Sequence, residues 1–183
     1  MSQGDDLDFT APLAEPGHSP EELRNIDDLG SIGAATLKDR GFYARVVTAR
    51  LPERPRLPAE CTVLVVEDDD ATAMVIARAL EKSGYRSRRA KDRAGIGAQL
   101  AARPLPDLVL LDVMLPDVNG FEVLNRIRHH GVVAKLPVIL LTSMGEKKDI
   151  ARGLALGADG YLTKPVLPST LIDAVQSVLG WQG

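Results

Sequence analysis

Between residues 61 and 183, short apolar runs alternate with helical patterns, and this alternation limits the possible folds more than any other feature of the chain. Runs at 62–66, 108–111, 137–141 and 160–163, and a more polar one at 85–90, have the length of strands. Apolar residues recur with a helical period over 71–82, 94–102, 121–128, 147–156 and 169–179. Gly84 and Gly157 stand where helix C-termini favour a residue free to take positive φ. The first, third and fourth runs are near-continuously apolar, as strands are when helices cover both faces of a parallel sheet. Right-handed crossovers then predict an α/β fold with a doubly wound, five-stranded parallel sheet.

The residues before this unit differ in composition. Residues 1–37 carry eight acids against one base, Arg24, and contain Pro12, Pro16 and Pro20. The next stretch is basic, with Lys38, Arg40, Arg45, Arg50, Arg54 and Arg56, and it ends in LPERPRLP, whose prolines favour extended polyproline conformation. Residues 1–60 therefore read as an N-terminal extension with a Pro-rich linker, and 61–183 as the folded domain. Ser19-Pro20-Glu21-Glu22 has the capping-box pattern and predicts a short helix to about Leu29. Phe42, Tyr43, Val46 and Val47 suit a helical stripe or a strand equally well. The extension is expected to be poorly structured, either a flexible tail or a docking segment that orders on the second half or on a partner.

Several function classes are disfavoured at this level. A formal net charge of −3 carries no signature of nucleic-acid or anionic-membrane binding. No run reaches transmembrane length, and MSQGDDLDF lacks the apolar core of a secretory signal. A single cysteine, Cys61, excludes an internal disulfide and fits a reducing, cytoplasmic setting, with Cys61 itself a small buried hydrophobe. Only four residues follow the last helix, so no C-terminal output domain is expected.

In open α/β sheets, sites form outside the carboxyl ends of the strands. There the chain places Glu67-Asp68-Asp69-Asp70, Asp112, Thr142-Ser143 and Lys164-Pro165. A carboxylate such as Asp112 at the end of a buried strand is costly unless its charge is used. Crowded carboxylates raise one another's pKa unless a cation joins them, and Mg²⁺, with its preference for oxygen ligands, is the natural one. With Lys164 adding a fixed positive charge, the group suits a dianionic phosphoryl ligand.

The segments VLVVEDD, LVLLDVMLPDVNG, VILLTS and GADGYLTKP resemble, in order and spacing, the receiver domain of bacterial two-component response regulators. The resemblance covers about two-thirds of the chain and implies a flavodoxin-like (βα)5 fold. It further implies that Asp112 is the phospho-acceptor, taking a phosphoryl group from a sensor histidine kinase or phosphotransfer protein. Asp68 would bind Mg²⁺ directly, with Glu67 beside it, Asp112 itself and the backbone carbonyl of Met114 completing the protein ligands. Thr142 and Lys164 would contact the phosphoryl oxygens, Tyr161 would be the switch aromatic, and Lys164-Pro165 would be cis. Pro116 and Gly120 would shape the loop after the acceptor. A protein of this kind is a signalling switch, not an enzyme, and acts on a downstream protein partner.

Other residues have plainer readings. Asp70 is expected to cap the following helix, Asp117 and Asn119 to serve as turn and cap residues, and His129-His130 to form a solvated helix end. A phosphatase of the haloacid dehalogenase type needs a second acid two residues after the nucleophile, and Met114 stands there. A nucleotide-binding loop fails because Gly95 and Gly97 lack a third glycine and do not follow the first strand. A pseudo-receiver that binds without phosphorylation is disfavoured by the full set Glu67, Asp68, Asp112, Thr142 and Lys164. The output remains open between a diffusible partner and the extension itself. The face made by the helix at 147–156, the strand at 160–163 and the last helix is the expected contact surface, and Gly160 replaces an acid common in receivers that dimerise through it. Met114 and Met144, two residues past Asp112 and Thr142, offer only thioethers to orient a hydrolytic water, which predicts a long-lived phosphorylated form.

Overall fold

Short apolar strands bury their backbone groups only by pairing, and here they pair in one sheet. The computed structural model describes residues 42–44, 57–143 and 147–180. In chain order these form β1 (Phe42–Ala44), β2 (Thr62–Val66), α1 (Asp70–Lys82), β3 (Arg86–Ala90), α2 (Arg93–Ala101), β4 (Leu108–Asp112), α3 (Gly120–His129), β5 (Val138–Thr142), α4 (Lys147–Ala155), β6 (Gly160–Thr163) and α5 (Pro168–Leu179). The sheet order is β1-β6-β5-β4-β2-β3, with β2 to β6 parallel. This is the expected doubly wound, five-stranded parallel sheet with its five helices.

The sheet has one strand more than expected. β1 joins the β6 edge antiparallel, with Phe42 opposite Leu162, Tyr43 opposite Tyr161 and Ala44 opposite Gly160. These three residues pair with the second half of the chain, and the strand alternative for 42–43 is the one adopted. The capping box at 19–22 and the linker at 51–56 lie outside the described residues.

Burial follows the apolar pattern. Every residue of β2, β4 and β5 is buried, as strands covered on both faces must be. Their alternating side chains feed two apolar layers. On one side Leu64, Val66, Val109, Leu111 and Leu140 meet Ile96, Leu100, Leu124, Ile127, Ile150 and Leu154 from α2, α3 and α4. On the other, Val63, Val65, Leu110, Ile139 and Leu141 meet Ile76, Leu80, Leu171 and Val175 from α1 and α5, and Cys61 is buried in this layer. Each buried Leu, Ile or Val side chain contributes roughly 1.5–3 kcal/mol relative to exposure, so these layers carry most of the stability.

Local signals end the elements as expected at most positions. Gly84 (φ 86°) and Gly157 (φ 93°) follow α1 and α4 in the left-handed region. Asn119 caps α3 by accepting from the Phe121 amide at 2.9 Å. The α1 cap departs from expectation: Asp69, not Asp70, accepts from the Thr72 amide at 2.7 Å. The helix starts one residue earlier because Asp70 is turned to Arg89 and Lys91, at 2.6 and 2.7 Å.

Candidate functional site

The parallel strands all end at one edge of the sheet, so the residues that follow them converge. β2 runs into Glu67 and Asp68, β4 ends in Asp112, β5 ends in Thr142, and β6 is followed by Lys164. Carboxylate oxygens of Glu67, Asp68 and Asp112 lie within 4.8 Å of one another. Glu67 and Asp112 are 1% and 4% exposed, which is costly for a charge without a partner, whereas Asp68 faces solvent.

That partner is Lys164. Its Nζ donates to Glu67 Oε2 and to Asp112 Oδ2, each at 2.7 Å. The Met114 amide donates to Asp112 Oδ1 at 3.0 Å, and the Asp69 amide to Glu67 Oε1 at 3.3 Å. Burial draws the Lys164 pKa down, but the bonds to Asp112 and Glu67 outweigh it and leave the ammonium above its ordinary value. Burial holds Glu67 above its usual range despite the Lys164 bond, and the Asp112 charge adds to the effect. Three carboxylates facing one ammonium leave a formal charge of two negative in the pocket, which a single divalent cation cancels.

Backbone contacts fix the site in place. The Lys164 amide donates to the Thr142 carbonyl at 2.7 Å, joining the ends of β5 and β6, and the Lys164–Pro165 peptide is cis. The Gly120 amide donates to the Val113 carbonyl at 2.8 Å, folding the loop after Asp112 back on itself. A Cβ at Gly120 would stand 2.5 Å from the Asp112 carbonyl oxygen, so only glycine permits this approach.

Thr142 and Tyr161 lie behind the pocket, both fully buried. Burial pushes the Tyr161 hydroxyl up to about 12, even though a side-chain hydrogen bond with Thr142 works in the opposite direction. The ring is seated against α4 at Gly153, where a Cβ would stand 3.1 Å from Tyr161 Cδ2 and 2.7 Å from Leu140 Cδ1.

All seven expected site residues are therefore adjacent to one pocket or directly behind it. Met114 turns its side chain to solvent, 58% exposed. Met144 lies outside the described residues. His129 and His130 stay away from the pocket, His129 contacting the Asn125 carbonyl at 2.8 Å. Sequence reasoning missed Arg89, whose guanidinium donates to the Glu67 and Asp68 carbonyls at 3.0 Å each and braces the acidic loop. It also missed Gly153; the only signal was a glycine inside a helical pattern, which usually marks a close packing contact.

Residues 63–176 match the response regulator receiver domain family. The chain belongs to that family. Among receiver-containing relatives, the phosphate regulon transcriptional regulatory protein PhoB of Pseudomonas aeruginosa is 38% identical over 118 residues, covering 64% of this chain and 51% of PhoB. The chain thus spans about half the length of the curated relatives it matches. The high-resolution structure of the chemotaxis response regulator CheY4 of Vibrio cholerae superposes with a TM-score of 0.60 at 31% identity, covering 65% of this chain and 98% of CheY4. The Mn²⁺-bound form of the response regulator Rcp1 gives a TM-score of 0.56 at 27% identity, covering 64% of this chain and 92% of Rcp1. As a receiver of bacterial two-component systems, the chain has no helix, among the described residues, long and apolar enough to cross a membrane.

Proposed function

We propose that this receiver accepts a phosphoryl group on Asp112 from the phosphohistidine of a sensor histidine kinase or phosphotransfer protein, in a Mg²⁺-dependent step, and passes the signal to a protein partner. The observation that carries this reading is the Asp112 carboxylate. It is buried at a strand end, held by the Lys164 ammonium at 2.7 Å, and crowded by two further carboxylates. A carboxylate oxygen of Asp112 attacks phosphorus as the phosphorus–nitrogen bond to histidine breaks, and the imidazole departs with the electron pair. Asp112 is the group modified, and no free substrate is turned over, so the chain acts as a switch rather than an enzyme.

The donor set fits a divalent cation. Glu67, Asp68 and Asp112 offer clustered oxygens with a net negative charge, the Met114 carbonyl would complete the set, and Rcp1, a relative, has been crystallised with Mn²⁺. Bound Mg²⁺ supplies positive charge for the phosphoryl oxygens. Lys164 holds its proton through the reaction and neutralises a second oxygen, while Thr142 offers its hydroxyl to a third. Thr142 also contacts Tyr161, so a phosphoryl group that recruits the hydroxyl competes with that contact and biases the β5–β6 ends toward a second arrangement. The face formed by α4, β6 and α5 is where a partner would sense this change. The cytoplasm is the compartment in which a kinase would meet such a receiver. No direct contact with nucleic acid or membrane enters the reading.

The extension, residues 1–60, precedes the receiver at 61–183 in this reading, and its residues 42–44 add a strand to the receiver's sheet. The pairing of β1 with β6 favours a docking role for its last part. Incubation with acetyl phosphate and Mg²⁺ tests the proposal. Wild type gains one phosphoryl group, and Asp112→Asn gains none while keeping its fold. Labelling of the mutant at the wild-type level would overturn the assignment, and an unlabelled wild type would identify a pseudo-receiver.

A further inference from the structure

The two edges of the sheet are protected by different means. A strand edge exposes unpaired N–H and C=O groups that template pairing with another chain, and charged side chains are one common defence. β3, at one edge, has the sequence RSRRA, with Arg86, Arg88 and Arg89 all at least partly exposed. β6 has the sequence GYLT, with no charge, and Gly160, Tyr161 and Leu162 are buried. Its outer edge is instead covered by β1, only three residues long, supplied by the N-terminal extension and lying beside α5 as well.

We propose that Phe42–Ala44 is an intramolecular strap that occupies the β6 edge and keeps it from pairing with the β6 edge of a second copy of this chain. The register supplies the argument for that partner. The edge already accepts a strand running antiparallel, with Tyr43 opposite Tyr161. Antiparallel is also the direction in which one β6 meets another across a twofold axis, giving an isologous contact that buries the same edge on both copies. A β6 edge without charge carries no repulsion against this pairing, whereas two β3 edges would bring arginines together. A ladder of three residues is short enough to exchange, so covering and self-pairing compete for the same backbone groups. β6 also leads directly into Lys164, whose Nζ holds Asp112, so the strap lies on the strand that the candidate site contacts.

The test uses the full chain. Successive residues of an antiparallel strand alternate between hydrogen-bonded and non-hydrogen-bonded pairs, so replacing two neighbours by proline removes at least one ladder donor. The variant is Phe42→Pro with Tyr43→Pro. A second variant, Ala44→Cys with Gly160→Cys, locks the strap, because the two residues face each other in register and Cys61 is buried away from solvent. Sedimentation velocity over a concentration series is the measurement, with far-ultraviolet circular dichroism to verify the fold. The proline variant should dimerise with a dissociation constant at least about tenfold lower than wild type, the competition expected from a few backbone hydrogen bonds. Hydrogen exchange should show those amides of 160–163 that point away from β5 protected in the dimer. The oxidised cysteine variant should remain monomeric at every concentration, including those at which wild type and the reduced variant begin to associate. A folded proline variant that stays monomeric where wild type does, or a dimer with those amides unprotected, would overturn the proposal. If the proline variant does not fold, an oxidised cysteine variant that self-associates as strongly as the reduced form would overturn it.

Discussion

Replacing Lys164 by methionine keeps the length of the side chain but removes its charge from between two carboxylates. Glu67 and Asp112, 1% and 5% exposed at the side chain, each lose a partner at 2.7 Å. Breaking a buried pair by removing one member costs about 3–5 kcal/mol. The lower end applies here, about 3 kcal/mol, because a fifth of the Lys164 side chain is exposed and Asp68 beside it faces solvent. At roughly 3–4 °C per kcal/mol for a domain of this size, Tm should fall by about 10 °C in EDTA near pH 7. The pH dependence has a definite sign. Lys164 lies above its ordinary 10.5 in the folded protein, so its stabilisation is complete below that value and is lost only as the pH rises through the raised pKa. In the variant, burial and the Asp112 charge still raise Glu67 above 4.5 with no ammonium to oppose them. The folded state then binds more protons than the unfolded state, so the variant loses stability as the pH rises from about 4.5 toward 7. The deficit relative to wild type should therefore be smaller near pH 5. Mg²⁺ should stabilise the variant more than wild type, since it meets two unpaired carboxylates. Thermal unfolding in EDTA and in Mg²⁺ at the two pH values measures all three effects. Equal stability of variant and wild type in EDTA near pH 7, or a deficit unchanged by acid, would refute this account of the pocket's charge balance.

Arg128→Met should destabilise the domain by about 3–5 kcal/mol in urea unfolding, because Asp159, 10% exposed, loses its guanidinium partner at 2.8 Å. Adding Asp159→Asn should recover part of that loss by removing the stranded charge. In an ultraviolet absorbance titration, Tyr161→Phe should lose only the step near pH 12, the signal below about pH 11 staying unchanged. Because Tyr161 ionises near 10.0 when unfolded and about 12 when folded, wild type should lose stability across that interval and the phenylalanine variant should lose less. The phosphorylated form should persist for minutes rather than seconds, and Met114→Asn should shorten its life by supplying a group that orients water. Decay of the purified phosphoprotein after removal of the donor measures this.

Much of the fold was legible because it rests on burial. β2, β4 and β5 are covered on both faces, and their unbroken apolar runs admit no other pattern of the same length. β1 was not legible, because three residues in a basic stretch carry too little periodicity to separate strand from helix; its pairing depends on an edge formed by residues more than a hundred positions later. The site was legible where it rests on strand ends: Glu67, Asp68, Asp112, Thr142 and Lys164 each follow or close a strand, and the parallel topology brings them together. Residues that act through backbone groups escaped notice. Arg89 bonds two carbonyls of the acidic loop and Arg128 bonds those of Gly157 and Leu136, and such partners leave no mark in the residue types. The cap moved from Asp70 to Asp69 for the same reason, since the competing arginine on β3 is adjacent only once the sheet has formed.

The central claim is that one carboxylate, Asp112, receives the phosphoryl group. The most direct measurement is reduction of the acetyl-phosphate-treated protein with borohydride, which converts an aspartyl phosphate to homoserine, followed by peptide mass mapping. The account predicts conversion at residue 112 alone, dependent on Mg²⁺ and absent in EDTA. Conversion at Asp68 or another acid, or conversion at 112 that is indifferent to Mg²⁺, would contradict it.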